Sequence, residues 1–179
     1  EDCPALIRPV NYPPLCPGHG SVIVERAGKR VLVINALGTV YMDPLDSPFD
    51  AIERVLERER GRYDFAVLDI HAEATSEKLA IAHCFDGRIN VIFGTHTHVQ
   101  TADECVLPRG TGYITDLGMT GPKVSVLGIR PDIIIEKFRT RMPVRFELAD
   151  GPLELQGALF SLDPDTGRTL EVMRIKLEL

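Results

Sequence analysis

The chain has 179 residues, of which 44% are hydrophobic and 26% are charged, a composition typical of one soluble domain with a hydrophobic core. Its formal net charge of −6 argues against non-specific binding of a nucleic-acid duplex, which depends on Lys and Arg contacts to phosphates. The sequence contains neither an apolar run that would cross a bilayer nor a signal-peptide pattern, so we expect a cytoplasmic protein without a membrane partner, whose four cysteines are free thiols.

The first third of the chain predicts an irregular segment, two strands and a helix. The stretch 2–20 is rich in proline and is typical of a surface loop. Strands are indicated over 21–25 and 30–35, and the second is an almost unbroken apolar run that we expect to be buried on both faces. Apolar residues recur at helical spacing over 49–56, which predicts a helix that ends at Gly61.

The middle of the chain predicts a strand–helix–strand unit. The apolar runs 65–70 and 89–93 are typical of buried strands. Between them we expect a helix that is capped by Thr75 or Ser76 and runs to Cys84. A helix of this length between two strands favours a parallel βαβ arrangement.

The remainder of the chain predicts a β-rich end. A short strand over 113–115 and a helix through 133–138 come first. Alternating apolar and polar residues then predict an antiparallel meander of three segments, 144–148, 153–160 and 172–179. We therefore expect one α/β domain that covers residues 1–179.

Three of the five histidines follow buried strands directly. His71 comes after the strand 65–70, and His96 and His98 come after the strand 89–93. The carboxyl ends of parallel strands lie at one edge of the sheet, which is where open α/β sheets bind ligands. The βαβ arrangement therefore predicts that the three imidazoles converge.

Neutral imidazole is a common ligand for zinc, iron and manganese, so the convergence predicts a metal site. His96 and His98 are two residues apart and would point to the same side of an extended backbone, and Gly94 would let the chain turn sharply into the site. A metal ion held there would generate hydroxide from bound water near neutral pH. His19 and His83, in contrast, are typical of structural histidines.

Five further polar residues near these strand ends are weaker candidates, namely Asp69, Glu73, Thr97, Asp116 and Thr120. Asp69 could accept a hydrogen bond from a ligand histidine, or could cap a turn. Glu73 precedes a helix whose first N–H groups could bind an anion or could simply be capped. Thr97 separates two of the histidines, and Asp116 and Thr120 belong to a polar loop that could border the pocket or form a plain turn.

Four segments carry a more specific pattern: residues 6–11 (LIRPVN), 69–78 (DIHAEATSEK), 94–103 (GTHTHVQTAD) and 113–122 (YITDLGMTGP). Together they resemble the YmdB-like bacterial branch of the calcineurin-like metallophosphoesterases, over nearly the whole chain. The resemblance implies a four-layer α/β/β/α sandwich with two divalent metal ions, iron or manganese before zinc. It also implies that a hydroxide between the metals attacks phosphorus, with small phosphodiesters such as cyclic nucleotides as substrates. By position, His71 and His96 would bind one metal and His98 the other.

The sequence departs from this family pattern at one end. The family's N-terminal aspartate, its Glu-Asn pair and its G-N-H motif, whose histidine is the expected proton donor, are absent here, so no catalytic proton donor is assigned. The resemblance therefore implies that the chain is the C-terminal part of a family member, completed by an N-terminal segment or by a second copy in a homo-oligomer. Two alternatives stay open. One is a non-catalytic binding module with a partial three-histidine metal site, and the other is a mononuclear hydrolase with a three-histidine zinc site.

Overall fold

The computed structural model describes residue 3 and residues 5–179 and contains two β-sheets and three α-helices within that part of the chain. In chain order the elements are β1 (Ser21–Arg26), β2 (Lys29–Leu37), α1 (Pro48–Arg58), β3 (Phe65–His71), α2 (Thr75–Phe85), β4 (Val91–Thr95), β5 (Cys105–Val106), β6 (Gly112–Ile114), β7 (Thr120–Pro122), α3 (Pro131–Thr140), β8 (Leu153–Leu162) and β9 (Thr169–Glu178). The mixed α/β class expected from the sequence is confirmed.

The larger sheet has six strands in the order β1-β2-β3-β4-β6-β5. Strands β2, β3, β4 and β6 are parallel to one another, while β1 and β5 run antiparallel along the two edges. Helices α1 and α2 connect β2 to β3 and β3 to β4, which confirms the predicted parallel βαβ unit. The carboxyl ends of β3 and β4 are therefore side by side.

One face of this sheet forms the hydrophobic core. Leu68 and Ile70 of β3 are fully buried, and they belong to one cluster with Ile52 of α1 and Ile81 of α2. The opposite face of the same strands is only half-buried, because the residues that alternate with Leu68 and Ile70 point away from the helices. The expectation that β2 is buried on both faces is therefore wrong, since Val33 and its alternate neighbours are only partly covered.

The smaller sheet has the antiparallel order β7-β8-β9 and faces the half-buried side of the larger sheet. An apolar cleft of about 470 Å³ separates the two, lined by Val31, Phe65, Val67, Val91, Phe93, Leu117, Ala158, Phe160 and Leu162. The strand predicted over 144–148 does not form. That segment makes only one isolated bridge, between Leu148 and Ile129.

The structure differs from the sequence prediction at the ends of two helices. The prediction that Thr75 or Ser76 caps α2 is wrong, since the cap residue is Ala74 and no side chain bonds to the helix start. Helix α1 ends at Arg58, three residues before Gly61. The four cysteines are free thiols, as expected. In the part of the chain that the structure describes, no helix has both the length and the apolar character needed to cross a bilayer.

Candidate metal centre

The ends of β3 and β4 bring two of the predicted ligands together. His71, the last residue of β3, is paired in register with Thr95, the last residue of β4, and His96 follows Thr95 directly. The two imidazole rings meet edge to face, with centroids 4.9 Å apart and planes at 87°. Nε2 of His71 lies 3.1 Å from Nδ1 of His96. The sheet topology therefore places both ring nitrogens at one point on the carboxyl edge.

A chain of hydrogen bonds determines which ring nitrogen of His71 carries the proton. The hydroxyl of Thr95 donates to Oδ1 of Asp69 at 2.8 Å, so the hydroxyl oxygen is left to accept from Nδ1 of His71 at 3.0 Å. Asn35 donates to the other carboxylate oxygen of Asp69 at 2.9 Å. With its proton on Nδ1, His71 presents the lone pair of Nε2 toward His96. Asp69 thus acts on the candidate ligand histidine through Thr95, rather than by the direct hydrogen bond considered from the sequence.

Burial acts on the ionisable groups of this chain of hydrogen bonds. Burial, followed by the neighbouring His96, lowers the pKa of His71, which favours the neutral imidazole that binds metals. Burial also raises the pKa of the Asp69 carboxyl, and the hydrogen bonds from Thr95 and Asn35 oppose that rise. Both effects follow from the half-buried sheet face beneath the histidines.

Glu73 gives His96 a matching partner on its other nitrogen. A carboxylate oxygen of Glu73 lies 3.0 Å from Nε2 of His96, and the Glu73 side chain is 51% exposed. When Nε2 carries the proton and donates a hydrogen bond to Glu73, the lone pair of Nδ1 is directed toward His71. A carboxylate on the non-ligating nitrogen is a usual way in which proteins orient a metal-binding histidine.

The donor set of the two histidines fits a metal ion. Ions such as zinc bind histidine nitrogens at about 2.0–2.1 Å, so two neighbouring ligands of one ion stand roughly 3.0–3.4 Å apart. The 3.1 Å between Nε2 of His71 and Nδ1 of His96 lies in this range. Residues 3 and 5–179 contain no group of three or more His, Cys, Asp or Glu side chains arranged to hold a metal. The structure therefore presents two candidate ligands of one ion.

His98 does not join the pair, although the sequence predicted that it would converge with His71 and His96. The prediction assumed an extended backbone, but His96 and His98 have φ angles of 115° and 63°, in the left-handed region. The backbone turns there because the Thr97 N–H is directed inward to the Asp116 carboxylate, at 3.0 Å. We call residues 96–98 the histidine turn. Its second histidine is exposed and borders a different cleft.

This polar cleft of about 180 Å³ lies between the histidine turn and the smaller sheet. The lining residues are His98, Val99, Met119, Gly121, Pro122, Lys123, Ser125, Leu127, Glu154 and Gln156. Gln156 also accepts from the Met119 N–H at 3.2 Å and so fixes one wall of the cleft. Sequence patterns did not indicate Glu154 or Gln156, because β8 lies more than fifty residues after the histidine turn.

The remaining sequence candidates fall in two different places. Asp116 has no exposed side-chain surface and is paired with Lys78 beneath the histidine turn, so it does not border the cleft. Its carboxylate is compensated there by the hydrogen bonds that it accepts from Lys78, Thr97 and Gly118. Thr120 is exposed on β7, pairs in register with Leu155 and is not among the residues that line the cleft.

A valine at position 95 is expected to weaken metal binding without unfolding the chain. Thr95→Val keeps the β-branched shape but removes the hydroxyl that joins Asp69 to His71. Loss of such a partner typically lowers metal affinity about 10–100-fold. Calorimetric titration with Mn²⁺ measures the change, and Thr95→Ser, which keeps the hydroxyl, is the matched control. Equal affinity of the valine and serine variants would show that the hydroxyl has no part in the site.

Comparison with known proteins finds relatives whose similarity extends over nearly all residues of this chain. The family model for YmdB-like proteins matches residues 1–175. A 2',3'-cyclic-nucleotide 2'-phosphodiesterase of Bacillus subtilis (strain 168) is 45% identical over 175 residues, which are 98% of this chain and 66% of that protein. This chain therefore spans slightly less than two thirds of that relative.

Two crystal structures are similar to this chain as well. A hypothetical protein from Thermus thermophilus superposes with a TM-score of 0.90 at 41% identity, covering 96% of this chain and 67% of that one. A novel phosphatase from Mycoplasma pneumoniae gives a TM-score of 0.88 at 34% identity, covering 96% and 63%. These matches do not support the narrower expectation that the chain is the C-terminal part of a family member.

Proposed function

This chain belongs to the YmdB-like protein family, and we propose that it is a metal-dependent phosphodiesterase that acts on cyclic nucleotides or similar small phosphodiesters. The observation that carries the proposal is the contact between Nε2 of His71 and Nδ1 of His96 at the carboxyl edge of the sheet. The name of the B. subtilis relative supports the choice of a cyclic phosphodiester as substrate.

His71 and His96 would hold the metal ion through the two facing nitrogens. Iron or manganese is the expected ion and zinc is an alternative, as the family resemblance implies. When bound, such an ion would act as a Lewis acid toward the phosphoryl oxygens and would make water a nucleophile at neutral pH. It also supplies positive charge for an anionic substrate in a chain whose net charge is −6.

The chain's own residues then orient the ligands. Asp69 and Thr95 keep the proton of His71 on Nδ1, and the Glu73 carboxylate accepts a hydrogen bond from Nε2–H of His96. In these tautomers the lone pairs of Nε2 of His71 and Nδ1 of His96 are the ones directed at the metal position. Hydrolysis of a cyclic phosphodiester adds one water across one P–O bond and leaves a nucleoside monophosphate.

A second ion, with His98 among its ligands, remains part of the proposal. Residues 3 and 5–179 contain no group of three or more His, Cys, Asp or Glu side chains around His98, so the residues present do not by themselves fit a second ion. Further donors would come from a second copy of the chain or from another segment, as the resemblance implies.

One observation favours a second candidate function. Because only two imidazoles converge within the described residues, the chain alone could be a non-catalytic binding module with a partial metal site. The two functions differ in turnover, since both bind metal but only the phosphodiesterase releases product.

Hydrolysis of a 2′,3′-cyclic nucleotide by the purified chain tests the proposal. We expect a nucleoside monophosphate to form in the presence of Mn²⁺, formation to stop with a chelator, and Mn²⁺ in excess of the chelator to restore it. Chromatography of the products over time measures each step. Metal binding without product would favour the binding module, and turnover that the chelator leaves unchanged would contradict metal dependence.

A further inference from the structure

A buried ion pair lies beneath the histidine turn. Nζ of Lys78, on α2, is 3.0 Å from Oδ2 of Asp116, and neither side chain has any exposed surface. Removing two charges from water is costly, and apolar residues of similar size often stabilise a protein as well or better. Stability alone is therefore a weak explanation for this pair.

The carboxylate of Asp116 joins two loops at the candidate site. Its Oδ2 also accepts from the N–H of Thr97 at 3.0 Å, in the middle of the histidine turn. Its Oδ1 accepts from the N–H of Gly118 at 2.9 Å, next to the cleft that His98 borders. A single carboxylate therefore fixes the backbone on both sides of the site, and Lys78 supplies the charge that balances it.

The surrounding residues are shaped to let this pair form. Gly94 lies over the lysine, and a β-carbon added there would lie 2.8 Å from Cδ of Lys78 and 1.8 Å from the carbonyl oxygen of Thr115. Only glycine allows the lysine stem and the chain before Asp116 to approach β4 so closely.

The hydrogen bond from Thr97 is placed where the backbone is strained. His96 and His98, the residues on either side of Thr97, have positive φ angles of 115° and 63°, which only a few per cent of non-glycine residues adopt, although histidine does so more often than most. Such strain persists only where the surroundings hold it. The Asp116 carboxylate, by fixing the N–H between the two histidines, supplies that hold.

We propose that Lys78 and Asp116 are positioning residues, which set the backbone of the histidine turn so that His96 meets His71. The relevance to metal binding rests on the proposed function, whereas the hold on the turn does not. Neither residue contacts the metal or the substrate in this proposal.

Two double variants separate positioning from plain stability. K78M/D116N and K78M/D116L both remove the buried charges, but only asparagine keeps an oxygen that can accept from the Thr97 N–H. We expect the asparagine variant to bind Mn²⁺ at least about tenfold more tightly than the leucine variant, as for other groups that orient a metal ligand. Thermal unfolding of both variants shows whether they are folded. Equal Mn²⁺ affinity in two folded variants would overturn the proposal.

Amide hydrogen exchange of Thr97, measured by NMR without metal, tests the hold on the turn directly. We expect slow exchange in the wild-type chain and in K78M/D116N, and exchange at least about tenfold faster in K78M/D116L. Fast exchange in the wild-type chain would overturn the proposal even if the leucine variant does not fold. If the wild-type chain bound no Mn²⁺ but protected this amide, the proposed function would fail while the positioning role stood.

Discussion

Replacing His96 by alanine is expected to lower kcat/KM for a 2′,3′-cyclic nucleotide by about a thousandfold, with the chain still folded. The variant removes Nδ1, one of the two nitrogens that face the metal position, and leaves Glu73 without its partner. Metal ions contribute several kcal/mol to phosphoryl transfer, and a thousandfold loss corresponds to about 4 kcal/mol. The partly exposed position of the His96 ring means that its loss leaves the hydrophobic core unchanged.

His83→Ala is the matched control for this experiment. His83 is exposed on α2 and lies outside the histidine turn, so its replacement changes the same chemical group without touching the site. Steady-state kinetics of both variants, together with circular dichroism, separates lost catalysis from lost structure. Hydrolysis by His96→Ala at the rate of His83→Ala would rule out a part for His96 in the reaction.

A methyl group at position 94 is expected to destabilise the chain by about 3 kcal/mol, the upper end of the usual cost of overpacking a core. The new β-carbon of Gly94→Ala would lie 1.8 Å from the carbonyl oxygen of Thr115 and 2.8 Å from the Lys78 side chain. A flexible side chain could move away, but the carbonyl belongs to the backbone that leads to the buried Asp116. The backbone that follows β6 must therefore move away from β4.

Gly157→Ala is the control for the change at position 94. Gly157 lies in β8, has no strained φ angle, and an added β-carbon meets no atom within 4 Å. Its free energy of unfolding is expected to stay within about 0.5 kcal/mol of the wild-type value, as for most surface changes. Urea denaturation measures both variants. Equal stability of the two variants would mean that the close approach at Gly94 is not a constraint on the fold.

The hydrophobic pattern of the sequence predicts the centre of the fold well. Phe65 to Ile70 form an apolar run that leaves few alternatives to a buried strand, and the following helix favours a parallel return. The pattern fails at 144–148, where alternation is present but only an isolated bridge between Leu148 and Ile129 forms. Strand formation there depends on a partner strand, which periodicity does not reveal.

The candidate site is only partly visible in the sequence for a similar reason. Strand order alone brings His71 next to His96, so this contact could be predicted. The direction of His98 could not, because it depends on a hydrogen bond from Thr97 to a carboxylate nineteen residues away. The buried pairing of Lys78 with Asp116 could not be predicted either, since Lys78 looks like an ordinary residue of a helix start until the fold places it beneath Gly94.

The metal content of the purified chain tests the central claim most directly. The chain and its His71→Ala variant would be loaded with Mn²⁺, freed of unbound ion and analysed by mass spectrometry for metal per chain. We predict at least one ion on the wild-type chain and its loss from the variant, because His71 supplies one of the two facing nitrogens. Equal metal content in the two proteins, or none in either, would contradict a metal site between His71 and His96.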